Sequence, residues 1–515
     1  MLKKIKPFLV FLLPLFLKYI FLFITVGYKL LNYEDVFEDL IFCIIVYIAL
    51  NTNVFKKQFY KNCILALYVF YFALEGASYM AVSSNFTSSF MYVLIESSKG
   101  ELKEFVHSYN NMGIVVFIAL MVVSFFLLKR NQEERKSAKV FLIGLTIILA
   151  LTILLKFTGL IESNAYHNIV RGAYGYYDLQ RDFKLNASIK KEDIELKNHN
   201  DVLVVVLGES TTSHHMGLYG YYRQNTPNLT AFKDSLFVYN NVISSDVFTL
   251  KAVPKMLTSL SNDSNIHDKT NIISIFSLAG YKTYWLSNQR PISYHDNAIS
   301  KIAATADFFK FYNHKIDKNT SVLDEILLPK YDEILKEPGK KVIFIRLIGT
   351  HFDYFKRYPS TFNKYDIKTD SEKKKVKNQY DNAVLYNDFI VYSILKSLKK
   401  EQGKNALVYI SDHGENVYDD GDFIGRNESN LKKNMFDIPF IVWTSKDFEL
   451  PTDFEYVPNR KFMADHLYES LGHLFGVKYK NMDFSKSIFS NTFKERKRIV
   501  VTGKDYDTYF TTKHE

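Results

Sequence analysis

An α-helical membrane domain followed by an α/β domain is the fold class this sequence predicts, and three observations predict it. The first third of the 515-residue chain is dominated by Phe, Leu, Ile and Val. Those residues fall into five stretches long enough, or nearly so, to cross a hydrocarbon core of about 30 Å. The remainder is rich in Lys, Asp and Asn, and carries short β-branched runs between helical stretches, the pattern of a sheet covered on both faces.

The apolar stretches lie near residues 7–26, 36–55, 62–82, 112–128 and 139–157. The first lacks a small-residue cleavage site and is followed by further spans, so it is not a cleavable signal peptide. Orientation follows from the basic residues. Lys3, Lys4 and Lys6 precede the first span, Lys56, Lys57 and Lys61 separate the second and third, and Lys129, Arg130, Arg135, Lys136 and Lys139 separate the fourth and fifth. If each span crosses once, all three clusters share one side, which the positive-inside rule makes cytoplasmic. A loop carrying Glu34, Asp35, Glu38 and Asp39 is then expected outside, as is the long loop 83–111. Five crossings place the C-terminal domain outside too. The net charge of +10 is partly absorbed by this topology, which argues against nucleic acid as a partner. Residues 162–185 alternate Tyr166, Tyr174, Tyr176, Tyr177 and Phe183 with Arg171 and Arg181, as an interfacial helix does; a linker is the alternative. The expected division is 1–160 for the five-span domain, 161–200 for the interfacial helix or linker, and 201–515 for the catalytic domain.

Only two cysteines occur, Cys43 and Cys63, both in the apolar third, so the soluble part has neither disulfide nor thiolate metal ligand. A domain of its size can bury a large core without cross-links. Its strand candidates are Asp201-Val-Leu-Val-Val-Val-Leu207, Lys341-Val-Ile-Phe-Ile-Arg-Leu-Ile348 and Ala406-Leu-Val-Tyr-Ile410, with Tyr281-Lys-Thr-Tyr-Trp-Leu286 and Arg498-Ile-Val-Val-Thr502 weaker. Ligands of open α/β sheets gather beyond the carboxyl ends of the strands. Here those ends read Gly208-Glu209-Ser210, Gly349-Thr350-His351 and Ser411-Asp412-His413-Gly414-Glu415. Imidazole and carboxylate ligands without thiolate suit a catalytic zinc with an open position, and manganese would accept them as well.

At these residues the chain resembles the phosphoethanolamine transferases. Gly208-Glu-Ser-Thr-Thr-Ser-His-His-Met-Gly-Leu-Tyr-Gly-Tyr221 with Asn225-Thr-Pro-Asn228 is similar to their opening motif. Ser245-Asp-Val-Phe-Thr-Leu-Lys-Ala-Val-Pro-Lys-Met-Leu-Thr258 resembles their nucleophile segment, Gly349-Thr-His351 with Tyr354-Phe-Lys-Arg-Tyr-Pro359 their histidine motif, and Ser411-Asp-His-Gly-Glu415 their last metal motif. The order of the motifs and the five-span anchor match too. Trp285-Leu-Ser-Asn-Gln289 points to the branch that modifies lipopolysaccharide core or related surface acceptors.

The resemblance implies an alkaline phosphatase/sulfatase-like domain with a central mixed, mostly parallel sheet, held outside a bacterial inner membrane, in the periplasm. It implies Thr249 as nucleophile and Glu209, Thr249, Asp412 and His413 around one zinc ion. His351 would contact the phosphoryl group or protonate a leaving group, Glu415 would meet the substrate's ammonium, and Asn288, Arg426 and Lys251 would bind substrate. The implied reaction takes phosphoethanolamine from phosphatidylethanolamine, through a covalent threonine intermediate, to lipid A, a core glycan or a protein. Two departures stand out. No cysteine is available for the disulfides some relatives carry, and Arg426 stands where relatives often place a histidine, leaving a second zinc and the general acid open. The rival enzyme is a glycerophosphotransferase of the lipoteichoic acid synthase kind, using phosphatidylglycerol. A sulfatase lacks support because no cysteine is there to become its nucleophile, and a non-catalytic membrane sensor or scaffold is the remaining alternative.

Overall fold

The computed structural model describes residues 8–25, 33–51, 57–82, 85–96, 112–130, 138–182, 189–262, 270–289, 298–313 and 322–511. Two compact units result, Met1–Tyr177 and Asp178–Glu515.

In the first unit a helix stands at each of the five apolar stretches: α1 (Leu13–Thr25), α2 (Tyr33–Asn51), α3 (Gln58–Val82), then, after a short α4 (Ser88–Glu96) inside the expected outer loop, α5 (Met112–Arg130) and α6 (Ala138–Thr158). Among the described residues, Gln58–Ala81 and Met112–Arg130 are long and apolar enough to cross a membrane, while Leu13–Thr25 and Leu142–Thr158 are shorter apolar helices. Phe11, Leu15, Leu65, Tyr68, Phe72, Phe117 and Met121 form the packed interior, whereas Val122, Phe126, Leu145 and Leu149 point outward, a surface suited to hydrocarbon. The acidic residues correct one expectation. Glu34, Asp35, Glu38 and Asp39 do not form a loop but the first turns of α2, with Asp35, Glu38 and Asp39 buried. Acidic side chains complement the positive end of a helix, and here they also find donors on neighbouring helices. Lys3, Lys4, Lys6, Lys56, Arg135, Lys136 and Phe183 lie outside the described residues. The stretch read as interfacial forms α7 (Ala165–Asp182), with Val170 and Tyr174 exposed; the break between units falls within it.

The second unit is built on a seven-stranded sheet. Its strands are β2 (Val202–Gly208), β3 (Phe237–Tyr239), β4 (Lys282–Ser287), β5 (Phe308–Phe311), β6 (Lys341–Arg346), β7 (Asn405–Ser411) and β8 (Phe440–Thr444), preceded in the chain by β1 (Ile194–Leu196). Their spatial order is β3-β8-β7-β2-β6-β4-β5. β7, β2, β6, β4 and β5 run parallel, and β8 is antiparallel to both its neighbours, so the sheet is mixed and mostly parallel. Alternation along β2 explains its unbroken apolar run: Leu203, Val205 and Leu207 join the core on one face, and Val202, Val204 and Val206 that on the other. The long helix α9 (Glu372–Leu398) covers the second face through Val384, Ile390, Ile394 and Leu395; α8 (Thr249–Leu257) covers the first through Val253, Met256 and Leu257.

Three differences from the sequence reading have local causes. β1 pairs with Val477–Tyr479, so residues assigned to the linker belong to the second unit. Arg498-Ile-Val-Val-Thr502 is outside the main sheet: only Ile499–Val500 is extended, pairing with Lys504–Asp505, while Arg498 is tied to Asp507 at 2.6 Å. The edge strands β3 and β5, and β8 next to β3, are short and carry aromatic residues in place of a long β-branched run.

Candidate active site

Parallel strands deliver their carboxyl ends to one edge, and three neighbouring strands do so here. β2 ends in Glu209, β6 leads to His351, and β7 ends in Asp412 and His413. Thr249 comes from another direction, as the first residue of α8, whose N-terminal amides favour negative charge nearby.

Thr249 Oγ1 is 3.1 Å from both carboxylate oxygens of Glu209 and 3.0 Å from His413 Nε2. His413 Nε2 is in turn 3.3 Å from Glu209 Oε1 and 3.4 Å from Asp412 Oδ2. One ligand atom from each of Glu209, Asp412 and His413 lies within 4.8 Å of the others. Asp412 divides its two oxygens: Oδ1 accepts the backbone N–H of Ser210 and of His413, at 3.1 and 2.8 Å, whereas buried Oδ2 accepts no hydrogen bond. His413 Nδ1 faces the Gly414 carbonyl at 3.0 Å, which sets the tautomer that turns a lone pair at Nε2 toward the site. An orphaned carboxylate oxygen, a carboxylate, an imidazole and a hydroxyl on one small volume fit a four-coordinate divalent cation.

Charge follows the same logic. Burial raises the Asp412 carboxyl to about 6, with Glu209 adding to the rise against His413 and Arg346. Burial opposes the Glu209 carboxylate too, yet His413, His351 and Arg346 hold it well below the ordinary range. Burial drives His351 down to about 3, so its ring is neutral, and its Nδ1 has no hydrogen-bond partner.

The remaining predicted residues separate into those at the site and those beside it. Arg426 is there: its guanidinium donates to His413 Nε2, reaches Ser210 Oγ at 3.4 Å, and lies 3.8 Å from Glu209 Oε1. Glu415 sits buried beneath it, 3.4 Å from Arg426 Nε, and accepts from Tyr354 OH at 2.9 Å. An ammonium reaching Glu415 must therefore displace Arg426. Lys251 is on the first turn of α8 and pairs with Glu428 at 2.8 Å. Asn288 is not brought to the site. It is fully buried and uses both amide hydrogens on Val322 O and Asp324 Oδ1. Its neighbour Gln289 is the one that turns in, donating to Glu209 Oε2 at 3.3 Å and Leu347 O at 2.9 Å. Arg346, at the end of β6 and 3.7 Å from Glu209, was also missed because within a β-branched run it reads as one more strand residue. Ser210 was the third omission: it adopts φ 58° and donates to Glu209 Oε1 at 3.0 Å. Such a left-handed turn stores strain, held here by Tyr380 OH, which donates to Ser210 O and accepts from Thr212 N.

Two expected results arise from this scaffold. Gly349 has φ 52°, and a β-carbon on it would lie 2.9 Å from Glu209 O and 3.0 Å from Glu209 N. Gly349→Ala is expected to destabilise the unit by roughly 2–4 kcal/mol, from left-handed strain plus backbone overlap. Trp285 and Trp443, the chain's two tryptophans, both lie in this sheet and report the change as a lower denaturant midpoint in fluorescence. The second concerns His215, which bridges Asp381 at 2.6 Å and Asp419 at 3.0 Å. Burial opposes its charge, but the two carboxylates raise it to about 9. Being raised, its contribution of up to about 3 kcal/mol is complete below the unfolded value near 6.5 and is lost as pH climbs through 9. Stability measured from pH 6 to 10 should fall across that window, and His215→Gln should flatten the fall.

Comparison with known proteins agrees with this architecture. Residues 201–477 match the sulfatase family model. The chain is 35% identical over 324 residues to phosphoethanolamine transferase EptC of Escherichia coli K12, covering 59% of this chain and 56% of that protein. It is 30% identical over 474 residues to phosphoethanolamine transferase CptA of Salmonella typhimurium, covering 83% and 82%. The crystal structure of the C-terminal periplasmic domain of Escherichia coli EptC, in complex with Zn, superposes with a TM-score of 0.57 at 33% identity, over 61% of this chain and 92% of that one. The integral membrane lipooligosaccharide phosphoethanolamine transferase EptA of Neisseria meningitidis shares the fold from end to end, with TM-score 0.71 over 94% and 97% of the two chains at 20% identity. With ordered strand-end motifs, a sulfatase-type sheet and a relative matched across most of both lengths, this chain belongs to the phosphoethanolamine transferase family.

Proposed function

We propose that the protein transfers phosphoethanolamine from phosphatidylethanolamine to a cell-surface acceptor, namely lipid A, a core glycan or a protein, with Thr249 as nucleophile. The observation that carries this reading is the placement of Thr249 Oγ1 within 3.1 Å of Glu209 and His413, beside the unfilled Asp412 Oδ2. A threonine hydroxyl needs activation at neutral pH. Zinc held by Glu209, Thr249, Asp412 and His413 would favour the Thr249 alkoxide and neutralise phosphoryl charge; the Zn complex of the EptC domain supports that choice.

Thr249 Oγ1 bonds to phosphorus, the phosphorus–oxygen bond to diacylglycerol breaks, and the departing oxygen takes a proton. The acceptor then attacks the phosphothreonine, loses its proton, and Thr249 is released. His351, neutral and with Nδ1 unfilled, suits contact with the phosphoryl group; a ring held near 3 is a poor proton donor at neutral pH, so the proton transfers fall to another group or to water. Arg426 places its fixed charge within reach of a phosphoryl oxygen at the position where a second metal's histidine is absent, so the reading is of one zinc. The donor is a lipid, and anchoring by five membrane-crossing helices, with the α/β unit in the periplasm, restricts the search to the bilayer surface.

The test is intact mass of the purified full chain after incubation with phosphatidylethanolamine, with diacylglycerol measured in parallel. A phosphoethanolamine adduct that chelation prevents is the expected result. Turnover of phosphatidylglycerol instead would overturn the donor assignment in favour of glycerophosphate transfer.

A further inference from the structure

The first unit buries more charge than a membrane anchor needs. Four carboxylates, Asp35, Glu38 and Asp39 on α2 and Glu75 on α3, surround one lysine, Lys18 on α1, and all five are buried. Three of the acids each accept at least one hydrogen bond. Asp39 accepts from Lys18 Nζ at 2.6 Å, Tyr19 OH at 2.5 Å and Tyr71 OH at 3.0 Å. Glu38 accepts from Asn164 Nδ2 at 2.6 Å and from Tyr71 OH, and Asp35 accepts from Tyr79 OH.

Glu75 is different. It is 1% exposed, and among the described residues neither of its oxygens accepts a hydrogen bond and its one ion pair is a 4.0 Å approach to Lys18 Nζ. A buried carboxylate without donors is costly, and ionisable groups at membrane depth mark functional sites. The walls around it add a second signal. The rings of Tyr19, Phe72 and Tyr79 lie 5.4, 5.9 and 5.8 Å from Lys18 Nζ, the range of cation–π attraction. Aromatic faces and carboxylates together are the surroundings an ammonium group prefers, and a lysine ammonium already occupies part of them.

The structure assigns this cage as a binding site for a second primary ammonium, that of an aminophospholipid headgroup, with Glu75 as its principal acceptor. The donor set favours it, because a primary ammonium carries three N–H groups, and Glu75 Oε1, Glu75 Oε2 and Asp35 Oδ1 are the cage oxygens without one. Asp35 and Asp39 lie at the start of α2, and Glu75 and Tyr79 near the end of α3, hence at the end of these helices away from the basic residues Lys57 and Lys61. By the positive-inside rule that end faces the outer leaflet. The choice of phosphatidylethanolamine as the headgroup's source rests on the donor proposed above.

The experiment is competitive lipid retention by the full-length chain, read by native mass spectrometry in a Thr249→Ala background so that no donor is consumed. Phosphatidylethanolamine, its N-methylated and N,N-dimethylated forms, phosphatidylcholine and phosphatidylglycerol are offered at equal concentration, and free ethanolamine is added separately. Retention should fall stepwise as methylation removes the N–H donors that Glu75 accepts, by about tenfold from primary to quaternary ammonium, and Glu75→Gln should remove most of that preference. Displacement of the lipid by millimolar free ethanolamine would show that the amine alone fills the cage and overturn the assignment to a lipid headgroup. A methylation series that is flat on the unsubstituted-Glu75 protein, or a preference unchanged in Glu75→Gln, would overturn the site itself. The adduct on Thr249 is scored independently, so a failed donor assignment and a failed cage give different results.

Discussion

Thr249→Ala is expected to lower the proposed transfer by roughly 10⁴–10⁶-fold while leaving the fold and most of the proposed metal binding in place. Losses of that size accompany removal of a nucleophile when its partners act as a unit with it. The side chain is small, sits at the start of α8, and gives that helix no side-chain cap; Phe248 is the capping residue. Its removal therefore costs little stability. Of the four groups around the proposed cation, three remain, so metal content should fall far less than activity. Single-turnover transfer and metal analysis on the same preparation separate the two quantities. Thr249→Ser keeps the hydroxyl and should recover much of the rate. Parallel loss of metal and activity in Thr249→Ala would instead make the threonine a ligand first and a nucleophile second.

The second large effect is at Asp412, where one side chain has two separable jobs. Asp412→Asn keeps an oxygen able to accept from the Ser210 and His413 amides, but it takes the negative charge from the unfilled position. Metal affinity is expected to fall by more than the 10–100-fold typical of groups one layer removed from a metal, with a small change in the unfolding midpoint. Asp412→Ala should do both kinds of damage, because two backbone amides at a strained turn lose their acceptor, a cost of about 1–3 kcal/mol each. Isothermal titration with zinc, paired with denaturant melts of the two variants, resolves the roles. Equal destabilisation by both substitutions would show that the charge, rather than the acceptor geometry, holds the Ser210 turn.

Much of this site was legible because strand ends are legible. Val202 through Leu207 announces a doubly covered strand, and whatever follows it must emerge at the sheet's edge; Glu209, Asp412 and His413 come together for that reason. What sequence pattern handled badly was parity and partnership. Asn288 and Gln289 are adjacent, yet one is locked beneath the edge by Asp324 and the other faces Glu209, a choice made by a loop around Val322 that no periodicity records. Arg346 continues the alternation of β6 and acquires meaning only through its neighbour across the sheet, Glu209. In the first unit, hydropathy located the helices but put Asp35, Glu38 and Asp39 in a loop, because a buried acid is intelligible only once Lys18, Tyr71, Tyr79 and Asn164 are brought beside it.

The absence of cysteine from the α/β unit, whose stability rests on apolar cores on both faces of one sheet, bears on how the enzyme is made. Its assembly owes nothing to thiol oxidation, so it has no wrong pairings to reshuffle and no dependence on disulfide-forming catalysts in the compartment it enters. Cells deprived of those catalysts should still accumulate it at normal levels, and reductants should leave its melting unchanged. The same independence predicts that the α/β unit folds equally well under reducing and oxidising conditions.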